Sequence, residues 1–436
     1  MQFKKIRQPS RSRVVILVSA FLCITVILIN INFMFNSMEN EDLLIGEPLD
    51  DEANSNSMEN EDLQIDLPRD KVRADGLSKA LKPANILHRK EAKATIAYAV
   101  SLTACGPFFN DGAAVLKHSI HLASYPLGGS KYAYKMYLFA HPSAKDCIEP
   151  FVKMGYNVLI KDTPINASEI KTDFFRRHVV KTGCCGDKEF LKLYAYTLTD
   201  YPIVVHLDLD SLIIQPLDDL FDAMLLKDGE TGPKLSVMHG KPIPAKIEGY
   251  FTRDYNMMKL GHKYPGLQGG FIVVRPNLGH FEEYKRVILE GDFQQYRGWA
   301  GKYGGYFGAQ QIQGLCSYFY DGLHPGTAVE LDRCIYNSMN DSPYKEKKNG
   351  ENKGKEFCID GKSTCDDCRE TDFSLIKSAH FTLCAKPWVC PLGKITTSKL
   401  CKAFHHKWFS VRKDLEKEWN LHGNTGKFFG YCNGQG

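Results

Sequence analysis

The chain has 436 residues, of which 43% are hydrophobic, so it has apolar material for one large or two ordinary domains. The formal net charge is +4, and Lys4, Lys5, Arg7, Arg11 and Arg13 crowd into the first thirteen residues, which leaves the rest of the chain at about −1. That balance excludes the basic footprint of a nucleic-acid-binding protein.

Residues 14 to 35 form a nearly unbroken apolar run without charge, about 22 residues long at about 1.5 Å each, which matches a hydrocarbon core of about 30 Å. No small-residue cleavage site follows, so the run reads as a membrane anchor rather than a signal peptide. The basic residues precede it and none lies between Asn36 and Asp66, which predicts a cytosolic tail (1–13), a single type II span (14–35) and a lumenal or extracellular remainder. Between Asn36 and Asp66 there are eleven acidic residues, and the octapeptide NSMENEDL occurs twice, at 36–43 and 56–63. Such a segment cannot bury enough surface to fold alone, so 36–92 is expected as a disordered acidic stem before a folded domain spanning 93–436.

Within that domain the strand signals are Ala94 to Thr103, Tyr132 to Phe139 and Asn157 to Ile160, with helical patterns at Gly112 to Leu122 and Cys147 to Met154. Strand and helix in alternation predict an α/β fold with a mixed, mostly parallel sheet flanked by helices, in which ligands bind beyond the strand C-termini. Phe190, Leu191, Tyr194 and Leu198 then recur at helical spacing, and Ile203 to Leu207 is a short buried strand running into Asp208-Leu209-Asp210. Strand alternation points both carboxylates the same way. Held side by side they repel, and a divalent Mg²⁺ or Mn²⁺ relieves that repulsion while bridging to phosphate; the plainer reading is a pair of solvated loop aspartates. Further on come a helix at Leu217 to Leu226, a strand at Lys234 to Met238, a polar loop at Thr252 to Met258, a strand after Gln268-Gly269-Gly270, a helix at Phe281 to Glu290, and a mobile glycine- and aromatic-rich loop at Trp299 to Phe307. A helix is expected to start at Ile312. Residues 341–370 read as an exposed, cysteine-containing insertion, and Lys377 to Trp388 gathers a histidine, a lysine and a tryptophan.

Cys23 lies in the predicted span, and the other thirteen cysteines predict disulfides with a thiol left over; a four-thiolate zinc site from Cys358, Cys365, Cys368 and Cys384 is the alternative. Asn166-Ala167-Ser168 is a glycosylation acceptor sequence.

The succession LKLYAYTLTDY, VVHLDLDSLI, LQGGFIVVRPN, IQGL and HFTLCAKPW resembles the glycosyltransferases of family eight, the glycogenin-like group, over residues 94–392. The resemblance implies a GT-A type, Rossmann-like fold, a UDP-sugar donor and retention of anomeric configuration. It implies that Asp208, Asp210 and His380 hold the manganese, that Lys386 neutralises the departing diphosphate, and that Lys192 reaches the donor. Ala99, Ser101 and Thr103 would cradle the nucleoside, with Gln268, Gly269 and Trp388 in the donor-binding set and Gln313 beside the anomeric carbon. Where the family commonly has Asn, Asp and Gly, this chain has Gln268, Ile312 and Leu383; Asp254 is the candidate for the missing carboxylate. The function so implied is a hexosyltransferase of the Golgi membrane, acting on a glycan, protein or lipid acceptor. An inactive lumenal scaffold or sugar-binding module that keeps the fold is the rival reading, favoured by Ile312 and Leu383. A two-carboxylate hydrolase is disfavoured, because Asp208 and Asp210 share one strand end and cannot flank a glycosidic bond.

Overall fold

The computed structural model describes residues 91–106, 109–227, 230–238, 243–257, 264–344, 358–388 and 398–418. The expected cytosolic tail, membrane span and nearly all of the stem lie outside them. Among the described residues no helix is long and apolar enough to cross a membrane.

A seven-stranded sheet organises the domain. In chain order its strands are β1 (Ala94–Leu102), β2 (Tyr132–Ala140), β3 (Asn157–Ile160), β4 (Val204–Leu207), β6 (Gly249–Arg253), β7 (Leu267–Val274) and β10 (Ala328–Glu330), where β5 (Ser211–Ile213) pairs outside the sheet with β11 (Ser378–His380), and β8 (Phe293–Gln294) with β9 (Gly298–Trp299). The spatial order is β10-β6-β7-β4-β1-β2-β3. Only β7 runs against its neighbours; every other pairing in the sheet is parallel. The sheet is therefore mixed and mostly parallel, as the alternation of strand and helix predicts. From β1 the chain builds outward through β2 and β3, then returns to add β4 on the other side. Such a reversal opens a crevice beyond the C-terminal ends of β1 and β4.

Both faces of the sheet are buried, and β1 shows how a strand serves two cores at once. Ile96, Tyr98, Val100 and Leu102 join one apolar cluster, and the alternate Ala97 and Ala99 join the other. The first cluster takes helix α1 (Phe109–Leu122) through Ala113, Leu116 and Ile120, together with the short α2 (Glu149–Lys153) and α4 (Asp218–Met224). The second takes α3 (Asp173–Val179), α5 (Leu278–Glu290) and α6 (Ile312–Tyr318). Helix α5 starts three residues before its apolar pattern does, because the Asn277 side chain accepts from the backbone N–H of Gly279 and His280, and it stops at Gly291 with φ 63°. A third cluster joins β5 and β11 to α7 (Lys399–Glu418), which Cys384–Cys401 also ties down.

Several expectations are corrected. The helix expected before β4 is a 3₁₀ helix over Gly186–Thr197, whose three-residue period stacks Phe190, Leu193 and Tyr196 on the core. Lys234 to Met238 is not a strand; Val237 makes one isolated bridge to Leu331. Conversely, residues 249–253 form β6 where a loop began, and the polar Arg253 is tolerated inside because Glu330 and Asp321 each accept from it at 2.8 Å. The glycine- and aromatic-rich segment is pinned rather than free. Trp299 is fully buried, and its indole N–H donates to the Ala309 carbonyl at 2.9 Å. The supposedly exposed insertion has buried ends, since Asp341, Cys358 and Cys368 are all inside; residues 345–357 lie outside the described set. The four cysteines of the zinc alternative enter disulfides, Cys358–Cys365, Cys334–Cys368 and Cys384–Cys401, and a fourth bridge joins Cys105 to Cys147.

Candidate metal and donor site

Beyond β4 the chain turns at Asp208-Leu209-Asp210, closed by the Ser211 N–H on the Asp208 carbonyl at 3.0 Å, and continues directly into β5. Strand β11 pairs antiparallel with β5, so that His380 lies opposite Ser211, and the Phe381 N–H donates to the Asp210 carbonyl at 2.9 Å. This two-stranded ladder carries a residue 170 positions away to the acidic turn. One ligand atom from each of Asp208, Asp210 and His380 lies within 4.8 Å of the others. His380 Nε2 is 3.3 Å from an Asp210 oxygen and 3.9 Å from an Asp208 oxygen.

The wall opposite is β7. A Cβ on Gly270 would come within 2.4 Å of His380 Cε1 and 2.7 Å of Asp208 Oδ2, so the site exists only because that position has no side chain. The Gly270 carbonyl accepts from the Asp208 N–H at 3.1 Å, and its own N–H donates to Gln268 Oε1 at 2.6 Å. Gln268 is thereby occupied within the protein, its carbonyl oxygen also receiving Asn337 Nδ2 at 3.3 Å.

Two lysines border the carboxylates and differ in what they have left to give. Lys192 donates to Glu189 at 2.5 Å, Asp208 at 2.8 Å and the Gly269 carbonyl at 3.0 Å, which uses all three of its N–H groups. It therefore positions Asp208 rather than reaching a donor. Lys386 pairs with Asp210 and donates to the Phe381 carbonyl at 2.8 Å; a third N–H remains, and the side chain is 38% exposed. Burial raises the Asp208 carboxyl, while at Asp210 burial is outweighed by His380 and Lys386, which hold it well below the usual carboxylate range.

The donor set fits an oxygen-preferring divalent ion. It offers two carboxylates, one ionised over the whole physiological range, and one imidazole whose buried Nδ1 has no hydrogen-bond partner.

The other predicted residues divide. Ser101 stands at the end of β1 with its hydroxyl 2.9 Å from His206 Nε2, and Thr103 is half-buried with its side chain on Cys185; Ala99 is fully buried in the core and cannot contact a nucleoside through its side chain. Trp388 packs on the α1 backbone at Gly112 and faces Trp408, so it braces α1 against α7. Gly269 lies against Ile312, Gln313 and the Lys192 ammonium. Gln313 Nε2 donates to Asp254 at 3.2 Å, while the other Asp254 oxygen is buried. Burial raises the Asp254 carboxyl, and His380 is near enough to pull it back in part. Ile312 is buried in the core, so the family carboxylate at that position has no equivalent here. Two residues escape sequence reasoning. Asp341 is fully buried against Asn256 with one oxygen unpartnered, its carboxyl pushed up to about 6 by burial; Glu189 links Lys192 to the surface. Spacing held a clue only for Glu189, three residues before Lys192 in a helix of three residues per turn.

No protein-family model matches the chain, and no curated protein matches it significantly. Among solved structures, the chain is similar to an active-site mutant of LgtC at 10% identity and TM-score 0.41, covering 73% of this chain and 95% of that one. It is similar to the apo form of mouse xyloside xylosyltransferase 1 at 11% identity and TM-score 0.40, covering 67% of this chain and 99% of that one. A third is the glycosyltransferase GlyE of Streptococcus pneumoniae TIGR4, at 12% identity and TM-score 0.40, covering 78% of this chain and 66% of that one. At that distance the likenesses carry no functional argument, which rests on the site.

Proposed function

We propose that this chain is a metal-dependent glycosyltransferase that moves a hexose from a UDP-sugar to a hydroxyl acceptor with retention of configuration. The observation that carries the reading is the gathering of Asp208, Asp210 and His380 within 4.8 Å at the sheet's switch point, with Lys386 holding a spare N–H beside them. Mn²⁺, held by those three residues, would supply Lewis-acid stabilisation of charge on a departing diphosphate. Lys386 adds a second positive charge from the chain itself, a task suited to a compact ammonium. Gln313 would offer its amide to sugar hydroxyls, and the buried Asp254 holds that amide in place. Retention would follow from attack on the leaving-group side, without a glycosyl-enzyme.

The N-terminal apolar run and the four disulfides support a type II protein of the Golgi membrane with this domain in the lumen. A non-catalytic sugar-binding scaffold has one observation in its favour: each carboxylate already has a lysine partner, which neutralises the site without a cation. Release of UDP from a panel of UDP-sugars by the purified lumenal region, with Mn²⁺ and with chelator, decides between them. Asp210→Ala is expected to abolish metal-dependent release. Equal release by that variant in the presence of chelator would eliminate the scheme, and no release from any donor favours the scaffold.

A further inference from the structure

At the entrance to the 3₁₀ helix, Gly183-Cys184-Cys185-Gly186 forms a turn in which both glycines have positive φ, 70° and 61°. Neighbouring side chains normally diverge, to opposite faces in a strand and by about 100° around a helix. Here the turn makes them converge, and the two sulfurs lie 2.7 Å apart. The turn is tightly specified, because a Cβ on Gly186 would fall 2.4 Å from the Val180 carbonyl and one on Gly183 2.8 Å from Gln311 Oε1. Cys184 is exposed and Cys185 partly so, and neither belongs to the four disulfides. The pair is therefore reachable by a small reagent.

We propose that Cys184 and Cys185 form a reversible dithiol that exchanges with small-molecule disulfides to give a vicinal disulfide, and that Glu189 relays its state to the acidic turn. The two thiols share their proton unequally. The hydrogen bond from Cys184 brings Cys185 down to about 7, while that same bond and burial push Cys184 up. Cys185 is thus the attacking thiolate and Cys184 the resolving thiol. The Cys185 thiolate attacks one sulfur of R–S–S–R; the mixed disulfide forms, the S–S bond of the small disulfide breaks, and the released R–S⁻ takes up the proton that Cys185 gave to solvent. Cys184 then attacks Cys185 Sγ, and the second R–S⁻ leaves with the Cys184 proton. The sum is two protein thiols oxidised and one small disulfide reduced to two thiols.

The relay follows from the contacts. In the dithiol the single Cys184 S–H is shared between Cys185 Sγ at 2.7 Å and Glu189 Oε2 at 3.1 Å, and Glu189 is the carboxylate that holds Lys192, which in turn holds Asp208. A disulfide has no S–H to donate, so oxidation removes one support from that chain. This half rests on the metal-site reading; the chemistry at sulfur does not. A soft-metal site from Cys184, Cys185 and Glu189 is the competing use of the same atoms. The zinc arm of the test separates the two uses.

The test equilibrates the purified lumenal region with oxidised or reduced glutathione, alkylates, and reads the peptide containing both cysteines by mass spectrometry. The expected result is a peptide two hydrogens lighter and closed to alkylation in oxidised glutathione, and doubly alkylated in reduced glutathione, with the other four bridges intact. Cys184→Ser should stop at a glutathione adduct on Cys185. Thiols still open to alkylation after oxidation, a stable adduct in the unaltered protein, or protection of the reduced pair by one equivalent of zinc sulfate would each overturn the proposal. For the relay, the Mn²⁺ concentration giving half-maximal UDP release is expected to differ between the two states by about tenfold, the low end of the range for outer contacts to a metal ligand. Equal values overturn the relay, whereas absence of any UDP release with the mass result intact indicts the metal-site reading alone.

Discussion

Replacing Gly270 by alanine puts a Cβ 2.4 Å from His380 Cε1 and 2.7 Å from Asp208 Oδ2. Comfortable contact begins near about 3.5 Å, so each neighbour would have to retreat by about 1 Å. Neither is free to do so. His380 is fixed by the β5–β11 ladder, by its N–H on the Ser338 carbonyl at 3.0 Å and by Thr382 on Nε2 at 2.9 Å; Asp208 is fixed by Lys192. Gly270 itself is tied at both its N–H and its carbonyl. Overpacking of one methyl costs about 1–3 kcal/mol against a total of about 5–15, so the variant folds. A misplacement of about 1 Å among ligating groups, by contrast, costs about a hundredfold in rate. The assay pairs thermal unfolding of metal-free protein with Mn²⁺-dependent UDP release. Gly269→Ala is the comparison, because its Cβ meets the Ile312 γ-methyl at 3.0 Å and Gln313 Cγ at 3.4 Å but none of Asp208, Asp210 and His380. The expected pattern is a modest loss of stability in both variants and a collapse of metal-dependent turnover in Gly270→Ala alone. Turnover within about twofold of the parent in Gly270→Ala, with unchanged metal dependence, would refute the placement of the site.

Lys192→Met leaves the partly buried Glu189 and Asp208 without their shared cation, which should cost about 1–3 kcal/mol in urea unfolding; an unchanged midpoint would show that Lys192 is not the clamp. Asp341 is raised from 3.8 to about 6, so the folded state favours its neutral form: that contribution is full below pH 3.8 and is lost as pH rises through about 6, a span worth about 3 kcal/mol. Asp341→Asn should remove that component, giving a shallower fall in melting temperature from pH 4 to pH 7 than the parent shows, and parallel curves would count against it. Cys401→Ser opens a bridge spanning 17 residues and should lower stability by about 3 kcal/mol, read by thermal unfolding under non-reducing conditions.

What the sequence disclosed tracks how local each determinant is. Strands β1 and β7 announce themselves by nearly continuous apolar runs, because a strand buried on both faces must be apolar throughout, and β2 and β3 by shorter apolar runs at the sheet's margin. Strand β6 does not, since its Arg253 reads as loop until Glu330 and Asp321, far along the chain, are seen to satisfy it. The three-residue β5 was equally hidden, although it is the device that recruits His380. Asp208 and Asp210 were legible as a pair because two residues suffice to set their relation. The linking of either to His380, and of the third Lys192 donor to the Gly269 carbonyl 77 positions on, depends on pairings for which spacing holds no record.

The same locality explains where the site's chemistry can be altered without loss of the fold. The carboxylates sit on a turn between two strands that pair with different sheets, β4 within the large one and β5 with β11 outside it. Leu207 before the turn and Leu212 after it are buried in separate apolar clusters, so the turn is held at both ends by cores that do not depend on the acidic side chains. Removing a carboxylate therefore takes away charge and leaves the backbone in place, whereas disturbing the β5–β11 ladder moves His380 bodily. Loss of activity with retained stability is expected for the first kind of change, and loss of both for the second. That difference makes Asp210→Ala a test of chemistry rather than of folding.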